Sequence, residues 1–203
     1  MTPWRVSNPE IVWDAGAVLG ESPVWSPRER ALWWVDIKGL ALFRYELDTG
    51  LRSVWRAGEP IGCISAPDST GRLLAATRSG FAWLTPDEDG AVSRTAIIAP
   101  EPDLPGNRFN DGKRAPDGSF WAGSMDDAET RQFGEGDGYP DGMEVDSDGA
   151  LWIAFWDGAC LRRFDPDGAL IQTVDLPARR PTSLAFAPEA NRIFITTASI
   201  GLT

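Results

Sequence analysis

Histidine is absent from this 203-residue chain. A Ser-His-Asp triad, a Cys-His pair and every imidazole metal ligand are thereby excluded. Cysteine is almost absent, Cys63 and Cys160 being the whole complement. Two thiols are too few for a four-thiolate zinc site. They suit reduced, mostly buried cysteines in a cytoplasmic setting better than a disulfide scaffold. Positive charge is scarce: 19 Lys and Arg stand against 30 Asp and Glu, for a net charge of −11. Nucleic acid and anionic membrane surfaces are therefore not expected partners. No apolar run approaches the length of a membrane span, and none follows Met1-Thr2-Pro3-Trp4-Arg5, so no secretory leader is expected. Long helices are disfavoured as well, because 21 Gly and 16 Pro interrupt the chain too often. What remains for chemistry is carboxylates, amides, Arg, Lys and a metal bound through oxygen.

What the chain does contain is a repeat. Asn110-Asp111-Gly112-Lys113-Arg114-Ala115-Pro116-Asp117-Gly118-Ser119-Phe120-Trp121 superposes without a gap on Asp141-Gly142-Met143-Glu144-Val145-Asp146-Ser147-Asp148-Gly149-Ala150-Leu151-Trp152. Looser copies run from Pro23-Val24-Trp25 into Leu32-Trp33-Trp34, from Ile64-Ser65-Ala66 into Leu73-Leu74-Ala75, and from Leu184-Ala185-Phe186 into Ile193-Phe194-Ile195. With Leu32, Leu73, Phe120, Leu151 and Ile193 equivalent, the spacings are 41, 47, 31 and 42. Full repeats continue through a second pair of apolar runs, Leu42–Tyr45 with Ser53–Trp55 and Leu161–Phe164 with Leu170–Val174, each pair parted by Asp/Gly turn chemistry. Four strands per unit of roughly 40 residues is a β-propeller blade. The expected fold is therefore all-β, a single propeller domain over 1–203, with Trp25, Trp33, Trp34, Trp55, Trp121 and Trp152 packing between blades. The 31-residue spacing leaves the third repeat without an outer hairpin, an incomplete blade around 126–138. It predicts missing material near 131–132, and the stop just after the fifth repeat predicts more at the C-terminus.

Equivalent positions in a propeller meet around a common axis. The positions opening the innermost strands are Ser22 with its neighbour Glu21, Cys63, Asn110, Asp141 and Ser183. Two carboxylates and a carboxamide among them form a hard-oxygen set suited to Ca²⁺, Mg²⁺ or Mn²⁺ and less well to Zn²⁺. Ordinary roles compete. Asp141-Gly142 has the composition of one more turn, although Ser147-Asp148-Gly149 already supplies the following hairpin, which favours a functional Asp141. Glu21 reads as a solvated loop acid, Arg108 and Asn110 as an ordinary loop, and Asp111 as a turn cap.

Several motifs together resemble the regucalcin (senescence marker protein)/gluconolactonase family. They are Leu19-Gly20-Glu21-Ser22-Pro23-Val24-Trp25, Asn107-Arg108-Phe109-Asn110-Asp111-Gly112-Lys113 with Trp121-Ala122-Gly123-Ser124-Met125, Tyr139-Pro140-Asp141-Gly142-Met143, and Pro181-Thr182-Ser183-Leu184-Ala185-Phe186. They run in order along nearly the whole chain. The resemblance implies a six-bladed propeller with one divalent cation (Ca, Zn, Mn or Mg) that hydrolyses a sugar lactone. It implies Glu21 and Asp141 as metal ligands, Asp141 also as the catalytic base, and Arg108, Asn110 and Asp111 as substrate-binding residues. The chain departs from the family in lacking the Ser-Asn-Gly-Leu-Ala type segment whose Asn is a further metal ligand. The alternative reading is a non-catalytic propeller that binds a metal or a sugar, or an inactive, shortened family member.

Overall fold

The computed structural model describes residues 4, 6–114, 118–126 and 138–202. The repeat's Ala115, Pro116 and Asp117, the side chain of Trp121 and most of the irregular stretch (127–137) lie outside the described residues. Among the described residues, apart from a short 3-10 turn at Pro188–Ala190, every regular element is a strand. The strands are β1 (Gly20–Ser26), β2 (Ala31–Asp36), β3 (Ala41–Glu46), β4 (Arg52–Arg56), β5 (Ile61–Ile64), β6 (Leu73–Thr77), β7 (Gly80–Pro86), β8 (Val92–Ile98), β9 (Asn107–Arg114), β10 (Phe120–Asp126), β11 (Tyr139–Val145), β12 (Leu151–Trp156), β13 (Cys160–Phe164), β14 (Leu170–Asp175), β15 (Pro181–Ala187) and β16 (Arg192–Thr197). Consecutive strands pair antiparallel into the four-stranded sheets β1–β4, β5–β8 and β11–β14 and the two-stranded sheets β9–β10 and β15–β16. The fold is all-β, built from propeller-type blades. The outer pairs inferred from the repeat are present as β3–β4 and β13–β14, and the third repeat has two strands among the described residues.

The chain divides into two compact units, a larger one of Val18–Arg131 and a smaller one of Met1–Ala17 with Gln132–Thr203. In the larger unit burial falls from the first strands of a sheet to the last. Every residue of β2 is buried, whereas β4 alternates between exposed and half-buried. A strand covered on both faces reads as an unbroken apolar run, which Ala31-Leu32-Trp33-Trp34-Val35 is. Its core is an inter-sheet seam: Trp33, Val35, Ile37 and Leu42 pack against Ile61, Ile64, Leu73 and Leu84. Each such fully buried aliphatic side chain contributes roughly 1.5–3 kcal/mol. Trp55 of β4 stacks on Trp33 with ring centroids 5.5 Å apart. A second seam joins Cys63 and Ala76 to Phe109, flanked by Phe81 and Phe120.

The smaller unit repeats the device with Trp152, Ala154 and Leu161 against Leu184, Phe186 and Ile193. Trp4 adds to this seam from the N-terminal segment, its ring centroid 5.8 Å from that of Trp152 and 5.5 Å from that of Phe186. The Gln172 side chain clasps it, accepting from the Trp4 amide and donating to the Trp4 carbonyl, both at 2.9 Å. Beneath lies Arg163, with no exposed surface. Its Nε donates to Asp146 Oδ2 at 2.7 Å and its second terminal nitrogen to Asp148 Oδ2 at 2.8 Å. Asp146 also accepts from Trp152 Nε1 and from the amides of Asp148 and Ala150, while Gly149 N–H donates to Asp146 O to close the hairpin. Burial alone would raise the Asp146 pKa, but the hydrogen bonds from Arg163, Trp152 and the two amides together hold it below the usual carboxylate range.

Removing the Asp146 carboxylate takes away the buried charge partner of Arg163 and leaves it only the half-exposed Asp148, which costs up to about 3–5 kcal/mol. Asp146→Ala is therefore expected to lower the urea midpoint strongly. Because the folded pKa is depressed, the stabilisation is complete above the ordinary Asp value of about 3.9 and drains away as pH falls through the folded value. Wild-type unfolding free energy should thus fall more steeply with acid than that of Asp146→Ala. Parallel pH curves for the two proteins would contradict this assignment.

Candidate active site

The first strand of every sheet is irregular at the same place. In β1, Glu21 pairs with Val35 and Val24 with Trp33, so Ser22 and Pro23 both oppose Trp34. In β9, Phe109 pairs with Ser124 and Gly112 with Ala122, so Asn110 and Asp111 oppose Gly123. In β11, Pro140 pairs with Phe155 and Met143 with Ile153, so Asp141 and Gly142 oppose Ala154. Gly62 in β5 and Thr182 in β15 are the extra residues of their pairs. Two residues against one is a β-bulge, which bends the strand and re-aims a side chain, and bulges are over-represented beside active sites. The polar positions inferred as strand openings therefore lie inside strands. β9 begins at Asn107, so Arg108, Asn110 and Asp111 lie within a strand, the last two in its bulge, and not in a loop. Asp141-Gly142 is likewise no turn.

Within the larger unit the bulges bring β1, β5 and β9 together. Ser22 adopts φ 48°, left-handed backbone that a non-glycine residue adopts at a cost. Its Oγ accepts from the Ile64 amide at 3.0 Å, tying β1 to β5, and its own amide donates to Glu21 Oε2 at 3.3 Å. On the other side of β5, a Cβ at Gly62 would fall 2.3 Å from Phe109 O and 3.0 Å from Asn110 N. Only glycine permits that approach, and an isolated glycine inside an apolar strand is the sequence signal for it.

Glu21, Arg108, Asn110 and Asp111 are thus gathered in one unit. Glu21 is buried, at 6% exposure, so it is not a solvated loop acid. Arg108, equally buried, donates to Asn110 Oδ1 at 2.7 Å and to Phe109 O at 3.2 Å. It also borders an open cavity of about 350 Å³ whose other lining includes Asn107, Glu101 and Arg78. Asp111 Oδ1 accepts from the Gly112 amide at 2.7 Å. The thiol of Cys63 registers the charges around it. Burial pushes its pKa up to about 12, the Asp111 carboxylate adds to the rise, Lys113 opposes it and Glu21 contributes a smaller push. Lys113 was not singled out from the sequence, and its place two residues past Asp111 on the same strand was the available signal.

Asp141 lies in the smaller unit, half-buried in β11. Its neighbour Gly142 is as constrained as Gly62, since a Cβ there would sit 2.3 Å from Ser183 Oγ and 2.7 Å from Thr182 O. Glu21 and Asp141 carry carboxylates and Asn110 a carboxamide, hard oxygens of the kind that Ca²⁺, Mg²⁺ and Mn²⁺ take. Among the described residues, no group of three or more Asp, Glu, Cys or His side chains is placed to hold a metal. Also among them, no helix is long and apolar enough to cross a membrane.

Comparison with known proteins identifies the family. A family model described as "SMP-30/Gluconolactonase/LRE-like region" matches residues 19–132 and 127–199. The chain is 30% identical to 6-deoxy-6-sulfogluconolactonase of Pseudomonas putida over 248 residues, covering 90% of this chain and 84% of that protein. It is 28% identical to regucalcin of Xenopus laevis over 258 residues, covering 91% and 84%. Among solved structures, the calcium-binding protein regucalcin of Agrobacterium tumefaciens shares the fold, with a TM-score of 0.81 at 24% identity over 92% of this chain and 84% of that one. The two family-model segments meet at 127–132, where the short repeat spacing predicts missing material. Since 91% of 203 residues is about 185, roughly 73 of the 258 positions aligned with the Xenopus protein have no residue of this chain opposite.

Both cysteines are free and buried. At pH 8 neither should react with a soluble disulfide reagent in the native protein, and both should react after unfolding. Rapid native labelling of Cys63 would contradict its burial between β1 and β9.

Proposed function

The chain belongs to the SMP-30/gluconolactonase/LRE-like family, and from that premise we propose that it hydrolyses a sugar lactone with the aid of one divalent cation. The observation that carries the reading is the bulge. The candidate acids and the carboxamide stand at or beside the one point in each first strand where the ladder is broken. On this reading residues 1–203 form a single propeller domain, and the substrate is an intramolecular ester of a sugar acid. The relatives' names support lactone hydrolysis as the reaction class.

Glu21 and Asp141 would hold the cation, and its identity among Ca, Zn, Mn and Mg is left open by a hard-oxygen donor set. When bound, such a cation polarises the lactone carbonyl and lowers the pKa of a coordinated water. The remaining work falls to the chain. Arg108 grips the Asn110 amide oxygen and so leaves the Asn110 amide nitrogen to donate to a substrate oxygen. Arg108 itself supplies further donors beside it, and Asp111 accepts from a sugar hydroxyl. Asp141 takes the proton from the attacking water. The acyl carbon–ring oxygen bond then breaks, and the departing oxygen is protonated to give the open hydroxy acid. The net charge of −11 argues against nucleic acid and anionic membrane as partners. Two buried free thiols without a disulfide favour a cytoplasmic location.

A second reading, a propeller that binds a cation or a sugar without turning it over, is favoured by the small number of protein ligands at the described positions. Hydrolysis decides between them. In a pH-stat assay with gluconolactone the wild-type chain should release acid above the spontaneous rate, chelator should abolish the excess, and Asp141→Ala should lower kcat by about a hundredfold or more, as loss of a general base does. Hydrolysis indifferent to both chelator and Asp141→Ala would overturn the proposal. Cation-dependent stabilisation without hydrolysis would support the second reading.

A further inference from the structure

We propose that Ser183, whose buried hydroxyl packs against the Asp141–Gly142 bulge, is a positioning residue that holds the attacking water beside Asp141. The inference rests on the lactonase reading above and adds a residue to it.

Ser183 follows the extra residue Thr182 in β15 and is wholly buried. Its Oγ and Cβ occupy the space a side chain at Gly142 would need, lying 2.3 Å and 2.5 Å from the position of the missing Cβ. The hydroxyls around it have partners. Thr182 Oγ1 donates to Thr196 Oγ1 at 2.9 Å, and Thr196 Oγ1 donates to the Ser183 carbonyl at 3.4 Å. Among the described residues, Ser183 Oγ is the buried side-chain oxygen that lacks a hydrogen-bond partner. A buried hydroxyl left unpaired costs stability, and alanine would fill the same place without that cost. The hydroxyl therefore points to a ligand.

Water is the ligand that fits. A buried water needs two to four polar partners, and a serine hydroxyl both donates and accepts. One residue from Gly142, the Asp141 carboxylate accepts only. A water that donates one proton to Ser183 Oγ and its other to Asp141 keeps both lone pairs clear of these contacts, one of them for the acyl carbon. Its attack forms the new carbon–oxygen bond, Asp141 takes the proton, the ring ester bond breaks, and that proton passes to the departing oxygen. Ser183 exchanges no proton in the balance; it orients the nucleophile.

The test uses the full chain with Ser183→Ala and Ser183→Cys, each assayed for gluconolactone hydrolysis and melted. For Ser183→Ala, kcat should fall about tenfold or more with KM within about twofold, the signature of an interaction made in the transition state. Its Tm should be unchanged or higher. Ser183→Cys, which retains a weak acceptor, should lie between it and wild type in kcat. Wild-type kcat in Ser183→Ala overturns the proposal and leaves the lactonase reading standing. A Tm lowered by several degrees also overturns it, by showing that the hydroxyl serves the fold. A wild-type chain that does not hydrolyse the lactone overturns the lactonase reading and this inference with it.

Discussion

One extra residue in the first strand of each sheet places two demands on the sequence at once. The bulge breaks the hydrogen-bond ladder locally and turns polar side chains out of the pairing. It also lets neighbouring first strands come closer than side chains ordinarily allow. Gly62 against Phe109 and Gly142 against Ser183 are the points of closest approach, and Ser22 accepts left-handed backbone to bond Ile64. Glu21, Asn110, Asp111 and Asp141 stand at or beside these irregular places, while other residues, among them Ile61, Ile64 and Phe109 in the same first strands, carry the cores.

The cores that hold the bulges in place are seams between sheets, not layers within one. Trp33 and Trp152 each sit in such a seam. In the smaller unit the seam contains a buried ion pair whose worth lies in the penalty for breaking it. Arg163 is satisfied by Asp146 and Asp148 and covered by the rings of Trp4 and Trp152. The N-terminal segment thus takes part in the packing of strands more than 140 residues away in sequence.

Much of this was legible in the sequence because turn chemistry is local. The Asp146–Gly149 and Asp165–Gly168 hairpins follow from Asp and Gly at fixed offsets, and the outer strand pairs follow from the apolar runs between them. The short third spacing, too, marks a discontinuity that the family match shares at 127–132. The bulges were not legible. Backbone pairing in β9 is indifferent to whether its side chains are Asn, Arg or Asp, so a polar run inside a strand looks like the loop before it. Burial of Glu21 and the Trp4–Gln172 clasp depend on contacts across many residues, and no local pattern announces them. The Ser183 position was visible as polar, but its lack of a partner is a property of the packed neighbourhood alone.

The central claim is that a chain lacking roughly 73 positions of its relative still folds around a working cation site. Its most direct test is a thermal melt of the purified 203-residue chain followed by Trp fluorescence, first in chelator and then in excess Ca²⁺, Mn²⁺, Mg²⁺ or Zn²⁺. A ligand that binds only the folded state raises the midpoint in proportion to the logarithm of its saturation. The account predicts one cooperative transition that moves upward with at least one of these cations. A cooperative transition that ignores all four, or no cooperative transition, would contradict it.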